Sequence, residues 1–133
     1  MAQAFGDRVK KVVLSSNAPN PLGSYSQAVQ AAGFLFVSGQ LAINPKDGKI
    51  IVADIKLQTR QVMENVKAIL EAAGYGLKDV VQSTVYLSSM SLFEEFNREY
   101  AKFFEGDFPA RATVGVELKS GALVEVSVVA YQT

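Results

Sequence analysis

Cysteine, histidine and tryptophan are absent from this 133-residue chain, and neither sign of charge is in excess: 13 basic residues offset 13 acidic ones. Without cysteine there is no disulfide, no thiolate nucleophile and no zinc-finger ligand set. Without histidine the commonest general base and the commonest transition-metal ligand are gone. A Ser-His-Asp triad and a two-histidine ribonuclease mechanism are therefore excluded. Zero net charge argues against a strong nucleic-acid binder, whose affinity rests on a basic footprint. Long hydrophobic runs are missing as well. The uncharged apolar stretches are strand-sized rather than the ~20 residues of a membrane helix, and Met1–Arg8 has no apolar run of signal-peptide length. The expectation is a cytoplasmic protein with no membrane partner. Any catalysis must use Arg, Lys, Asp, Glu, Tyr, Ser, Thr or backbone dipoles.

What remains is an ordinary globular composition, 49% hydrophobic and 20% charged. The length suits one domain over residues 1–133, with residues 1–8 expected as a flexible N-terminal extension. No internal repeat or low-complexity tract is visible, and the glycines and prolines fall mostly between periodic segments.

Sheet and helix periods alternate along the chain. Val9 to Leu14 is a short β-prone run, Tyr25 to Ala31 alternates, and Phe34 to Val37 reads as a buried strand. Asn44 to Gly48 is a turn, with Pro45 presetting φ and Gly48 supplying a positive one. From Asp54 to Ala73 the residues Ile55, Thr59, Val62, Val66, Ile69, Leu70 and Ala73 form a helical stripe. Asp54 is placed to cap its start and Gly74 to end it. Val80 to Leu87 is a further strand. Ser91-Leu92-Phe93-Glu94 has the pattern of a capping box. It opens a helix with Phe93, Phe96, Tyr100, Phe103 and Phe104 on its apolar face, Glu94 and Arg98 paired on its wet side, and Gly106 at its end. Two alternating strands finish the chain. The order β-β-β-α-β-α-β-β predicts an α+β fold, a two-layer sandwich of a mixed sheet with both helices on one face. The other face must then be polar or covered by another subunit.

Several residues stand out from this pattern. Arg111 begins an apolar strand after Phe108-Pro109-Ala110, and its planar fork matches a carboxylate bidentately; a strand-end arginine reaching water is the plainer reading. Glu125 interrupts a run of Val and Leu. If the last two strands form a hairpin with coinciding polar faces, Arg111 and Glu125 project from one face and bracket a small anion; a structural salt bridge is the plainer reading. Asn97 lies at the inward edge of the aromatic helix face, where an amide needs partners: it caps a loop or orients a ligand. Tyr25 sits where a loop becomes a strand. Val37-Ser38-Gly39-Gln40 ends a strand with a glycine, which marks either a bulge or a place where a ligand approaches the backbone. Neither G-x-G-x-x-G nor a P-loop string occurs.

Asn17-Ala18-Pro-x-Pro-x-Gly-Ser-Tyr25-Ser-Gln-Ala-Val, Phe-Val-Ser38-Gly39-Gln40, Phe-Pro-Ala-Arg111-Ala-Thr-Val and Leu-Val-Glu125-Val, in this order, resemble the RidA/YjgF family, also labelled endoribonuclease L-PSP. The resemblance runs from about Lys10 to Ala130. It implies a chorismate-mutase-like sandwich assembled as a homotrimer, with sheets inside and pockets between subunits. The activity it implies is hydrolysis of 2-iminopropanoate and 2-iminobutanoate to 2-keto acids and ammonia, with no cofactor and no metal. Arg111 would hold the substrate carboxylate and Glu125 would serve the attacking water. Tyr25, Ser38 and Gly39 match pocket positions on the neighbouring subunit, and Asn97 matches a pocket-associated asparagine. Thr113 stands where several members carry Cys, at a position implied to act through its backbone carbonyl. Ser24 replaces a frequent Pro, residues 119–122 lack the usual Pro, and Ser127 replaces a common acidic residue.

Three functions compete at this point. The first is an imine deaminase. The second is an endoribonuclease that inhibits translation, against which stand the missing histidine, the neutral charge and the lack of an aromatic-basic platform. The third is a non-enzymatic trimer that binds small carboxylates through the same arginine.

Overall fold

A computed structural model describes residues 9–133; the expected N-terminal extension lies outside the described residues. Six strands form one sheet: β1 (Lys11–Val13), β2 (Ala28–Ala31), β3 (Phe34–Gln40), β4 (Val80–Leu87), β5 (Ala110–Gly115) and β6 (Val124–Tyr131). Two helices, α1 (Ile55–Ala72) and α2 (Phe93–Ala101), are joined to them by short single turns at Leu77–Asp79 and Met90–Leu92. The spatial order is β1-β2-β3-β6-β4-β5. The β4–β5 pair is parallel and the others are antiparallel. The sheet is therefore mixed, as the element order predicts.

Alternation along the central strands separates two faces. Val124, Val126, Val128 and Ala130 of β6, with Leu35, Val37, Val85 and Leu87, are buried in one core with the helices. The buried stripe of α1 contains Ile55, Thr59, Val62, Val66, Ile69 and Leu70, as expected, and also Gln58, Met63 and Asn65. The Asp54 carboxylate accepts from the Leu57 amide at 3.0 Å, an N-cap worth about 1 kcal/mol. Gly74 takes φ +82° just after the helix, a conformation that costs an L side chain strain.

The start of α2 departs from the expected capping box. Ser89, not Ser91, supplies the capping oxygen, accepting from the Ser91 amide at the turn that precedes the helix. No side chain caps the Leu92 end of α2 itself, because that turn already leads the chain into it. The helix also stops at Ala101, short of Gly106. Its charged residue of consequence is the buried Glu99, which pairs with Arg60 of α1 at 2.9 Å and with Lys102 at 3.1 Å. Among the described residues Glu94 and Arg98 form no ion pair.

The face opposite the helices carries a row of apolar residues in register: Val12, Val29, Phe36 and Val129. Val12 is 64% exposed and Phe36 48%. Phe34 and Tyr131 meet nearby in a tilted contact, ring centroids 4.9 Å apart and planes at 54°. Among the described residues no helix is long and apolar enough to cross a membrane.

Candidate functional site

Two recesses hold the candidate residues other than Thr113, which lines neither, and they lie on opposite sides of the sheet. The expected β5–β6 hairpin does not form, because β4 lies between these strands and pairs with both. Arg111 is in register with Ser83 of β4, and Glu125 with Tyr86. Positions 83 and 86 are an odd number of residues apart, so their side chains point to opposite faces. Arg111 consequently lies on the helix side and Glu125 on the open side. A single chain does not let them bracket one anion.

The first recess, about 320 Å³, is lined by Asn97, Tyr100, Ala101, Phe108, Pro109 and Arg111. Edge strand β5 presents Arg111 toward α2. Its Nη1 donates to Asn97 Oδ1 at 2.8 Å. The guanidinium carbon lies 5.1 Å from the Tyr100 ring centroid, 5.4 Å from Phe93 and 5.9 Å from Phe96. Cation–π attraction and the amide together hold the fork in place. Among the described residues Arg111 has no carboxylate partner. Tyr100 shares a 2.6 Å hydrogen bond with Ser83. Burial raises its phenol above the ordinary tyrosine value, although the Ser83 bond and the Arg111 charge pull the other way, so the phenol stays neutral beside the cation. Thr113 follows two residues after Arg111 on the same face, in register with Val85.

The second recess, about 290 Å³, is lined by Tyr25, Ser38, Gly39, Gln40 and Glu125, with an apolar wall that includes Leu22 and Ile43. A bulge shapes its floor. Val37 pairs with Val128 and Gln40 with Val126, so β3 carries one extra residue at Ser38–Gly39. The Ser38 hydroxyl donates to the Ser26 carbonyl at 2.6 Å, and the Leu22 amide donates to the Tyr25 hydroxyl at 3.1 Å. Glu125 is half-buried, and its carboxylate makes no hydrogen bond or ion pair among the described residues. Burial raises its pKa above the ordinary glutamate value. That favours a carboxyl group able to take up and return a proton.

Three buried amides that the sequence did not point to fix the loops around the strands, and of them Gln27 lines the second recess while Asn65 holds two residues that do. Gln27 accepts from the Ser15 amide and donates to the carbonyls of Ser15 and Pro19, pinning the loop before Tyr25. Asn65 reaches from α1 to the carbonyls of Leu41 and Ile43. Gln58 donates to the carbonyls of Ile51 and Gly121 and accepts from the Leu123 amide, holding the approach to β6. A polar residue inside an apolar helical stripe was the available signal for Gln58 and Asn65. A larger depression of about 700 Å³ lies apart from both recesses, between α1 and the Asn44–Lys46 turn, and contains none of the candidate residues.

A mixed open sheet with one helical layer, polar recesses on both faces and an anchored, unpaired arginine defines a two-layer α+β protein with sites suited to small polar molecules. The family described as Endoribonuclease L-PSP matches residues 15–132. A RutC family protein from Pyrococcus horikoshii is 51% identical over 125 residues, covering 93% of this chain and 99% of that protein. A 2-iminobutanoate/2-iminopropanoate deaminase from Dermatophagoides farinae is 36% identical, over 88% of this chain and 92% of that one. The crystal structure of E. coli TdcF with bound serine superposes with a TM-score of 0.88 at 33% identity, over 92% of this chain and 99% of TdcF. This chain belongs to the endoribonuclease L-PSP family, the RidA/YjgF proteins.

Proposed function

We propose that the protein hydrolyses 2-imino acids to 2-keto acids and ammonia, and that it does so as a homotrimer whose sites lie between subunits. The observation that carries this reading is the pair of unsatisfied ionisable groups. Arg111 is braced by Asn97 and three aromatic rings yet lacks a carboxylate, and Glu125 is half-buried yet lacks a partner, among the described residues. They face away from each other in one chain, so a second copy must bring the Arg111 recess of one subunit to the Glu125 recess of the next. The exposed apolar row on the open face supplies a surface for such packing. The deaminase relative and the serine-bound neighbour support a small amino-acid-like substrate.

The residues suit the chemistry. Arg111 binds the substrate carboxylate and so fixes the adjacent C=N carbon. Water adds to that carbon of the protonated imine while Glu125 takes one of its protons. Glu125 then passes the proton to the amine nitrogen. As the C–N bond breaks, ammonia leaves and the hydroxyl oxygen closes to the carbonyl; its proton is taken up by the ammonia. Thr113 lines the Arg111 side through its backbone carbonyl. Tyr25, Ser38 and Gly39 shape the water side. No step needs a metal or an organic cofactor.

The family description names an endoribonuclease. The absence of histidine and the zero net charge weigh against that activity here. The deciding assay generates 2-iminobutanoate with a dehydratase and times keto-acid release. Wild type should accelerate it, and Arg111→Ala should lose about 100-fold, the scale expected when a positioning contact is removed. Equal rates for the two proteins would refute the reading. Saturable 2-ketobutyrate binding without turnover would leave a carboxylate-binding protein instead.

A further inference from the structure

We infer that Gly39 is a positioning residue, whose missing side chain provides the space in which the Glu125 carboxylate is held against the β3 bulge. The inference rests on the proposed role of Glu125.

A Cβ built on Gly39 would overlap the Glu125 Oε2 atom and would lie 2.9 Å from its Cδ and 3.1 Å from its Cγ. Contacts this short do not persist, so one group has to move. The bulge itself is fixed on both sides. Ser38 is tied through its amide to the Gln27 carbonyl and through its hydroxyl to the Ser26 carbonyl. The Gln40 side chain donates to the Ser38 carbonyl, and Gln40 is buried. Glu125 has no such ties among the described residues, and its carboxylate is the far end of a flexible side chain. The carboxylate is therefore what a methyl group at position 39 would displace.

Gly39 does not occupy the left-handed region, unlike Gly48, Gly74, Gly106 and Gly121. Its φ lies outside the region that L side chains rarely adopt, so a left-handed backbone does not account for a glycine here. The need for space does. The ionisable side chains around the carboxylate are Tyr25, which lines the same recess, and Tyr86, which is in register with Glu125 on β4. Neither is a cation, and the neighbouring subunit's Arg111, which the proposed assembly brings to this recess, is engaged by the substrate carboxylate and so does not recapture a displaced Glu125.

The test uses the intact protein and three variants, Gly39→Ala, Glu125→Asp and the double variant. Gly39→Ala should fold with a melting temperature close to wild type and lose about 100-fold in kcat for 2-iminobutanoate, with KM held by Arg111 and changed by less than about threefold. Aspartate is one methylene shorter and clears the added methyl. The double variant should therefore be several-fold faster than Gly39→Ala alone, although Glu125→Asp in the wild-type background is slower than wild type. Wild-type kcat in Gly39→Ala, or a double variant no faster than Gly39→Ala, would overturn the inference. If the wild type fails to turn over the imine, the deaminase reading falls and the steric inference is still decided, by the side-chain carboxyl carbon resonance of Glu125. A changed resonance in Gly39→Ala supports displacement, and an unchanged one overturns it.

Discussion

Thr59, Glu99 and Glu125 are polar groups in largely apolar surroundings, and each meets a different fate. Glu99 is buried and satisfied by two cations. Glu125 is half-buried and without a partner among the described residues, and it lines a recess open to the surface. Thr59 is fully buried on the core stripe of α1, and its hydroxyl finds no partner among the described residues. Burying a hydroxyl without a hydrogen bond costs about 1–3 kcal/mol by mutational measures. Valine has nearly the same shape and lacks the oxygen. Thr59→Val should therefore raise the unfolding free energy by about 1 kcal/mol, seen as a higher urea midpoint at unchanged slope. A lower midpoint would mean that the hydroxyl has a partner after all. The contrast with Glu125 is informative: an unsatisfied group that can reach water is where chemistry is available, and one that cannot is a stability cost.

At the scale of elements, the two helices are tied by charge as well as by apolar contact. Glu99 of α2 accepts from the Arg60 guanidinium of α1 and from Lys102 one turn on. Burial alone would raise its pKa, but these bonds and the two positive charges hold it below the ordinary glutamate value. A carboxylate depressed in the folded state contributes stability that is present above its unfolded pKa and lost as pH falls through the folded one. Glu99→Gln should thus be less stable than wild type at neutral pH. The gap should close as pH drops below the ordinary glutamate range, as read from paired denaturant titrations. A gap independent of pH would assign the loss to packing. Both helices and every strand were legible from periodicity, since 3.6 and 2 are properties of local sequence. Partner choice was not. Alternation in β5 and β6 defines which residues share a face of their own strand, but not which strand lies beside it, and the insertion of β4 turned an expected pair of facing residues into an opposed one. The α2 cap was misplaced by two residues because serines at 88, 89 and 91 offer competing oxygens, and the preceding turn selected Ser89. Of the site residues, Arg111 and Glu125 were visible as charges breaking apolar runs. Gln27 was not singled out, because an amide that satisfies loop carbonyls carries no local pattern, whereas Asn65 was marked only by its polarity within an apolar helical stripe.

For the whole molecule, the division of the candidate residues between the two faces of the sheet governs the proposed function. Arg111 and Asn97 belong to one side of the sheet, and Glu125, Tyr25, Ser38 and Gly39 to the other. Under the proposed function the anchor and the carboxylate form one site only between subunits, and the apolar row of Val12, Val29, Phe36 and Val129, of which Val12 and Phe36 are exposed, is the surface offered for that packing. In the proposed homotrimer, closed symmetry gives one equivalent site per interface. Subunit mixing makes this testable without a structure of the assembly. Arg111→Ala and Glu125→Gln should each be nearly inactive alone. Unfolded together in equal amounts and refolded, they should form mixed assemblies in which a site is intact when its arginine comes from the Glu125→Gln subunit and its glutamate from the Arg111→Ala subunit. Random assortment makes that about one site in four in a closed ring, so about a quarter of the wild-type rate per site should return. Mixing the folded variants without unfolding should restore activity only as fast as subunits exchange. No recovery after corefolding, with mixed oligomers demonstrated by differential tags, would place both residues in one subunit's site and refute the divided arrangement.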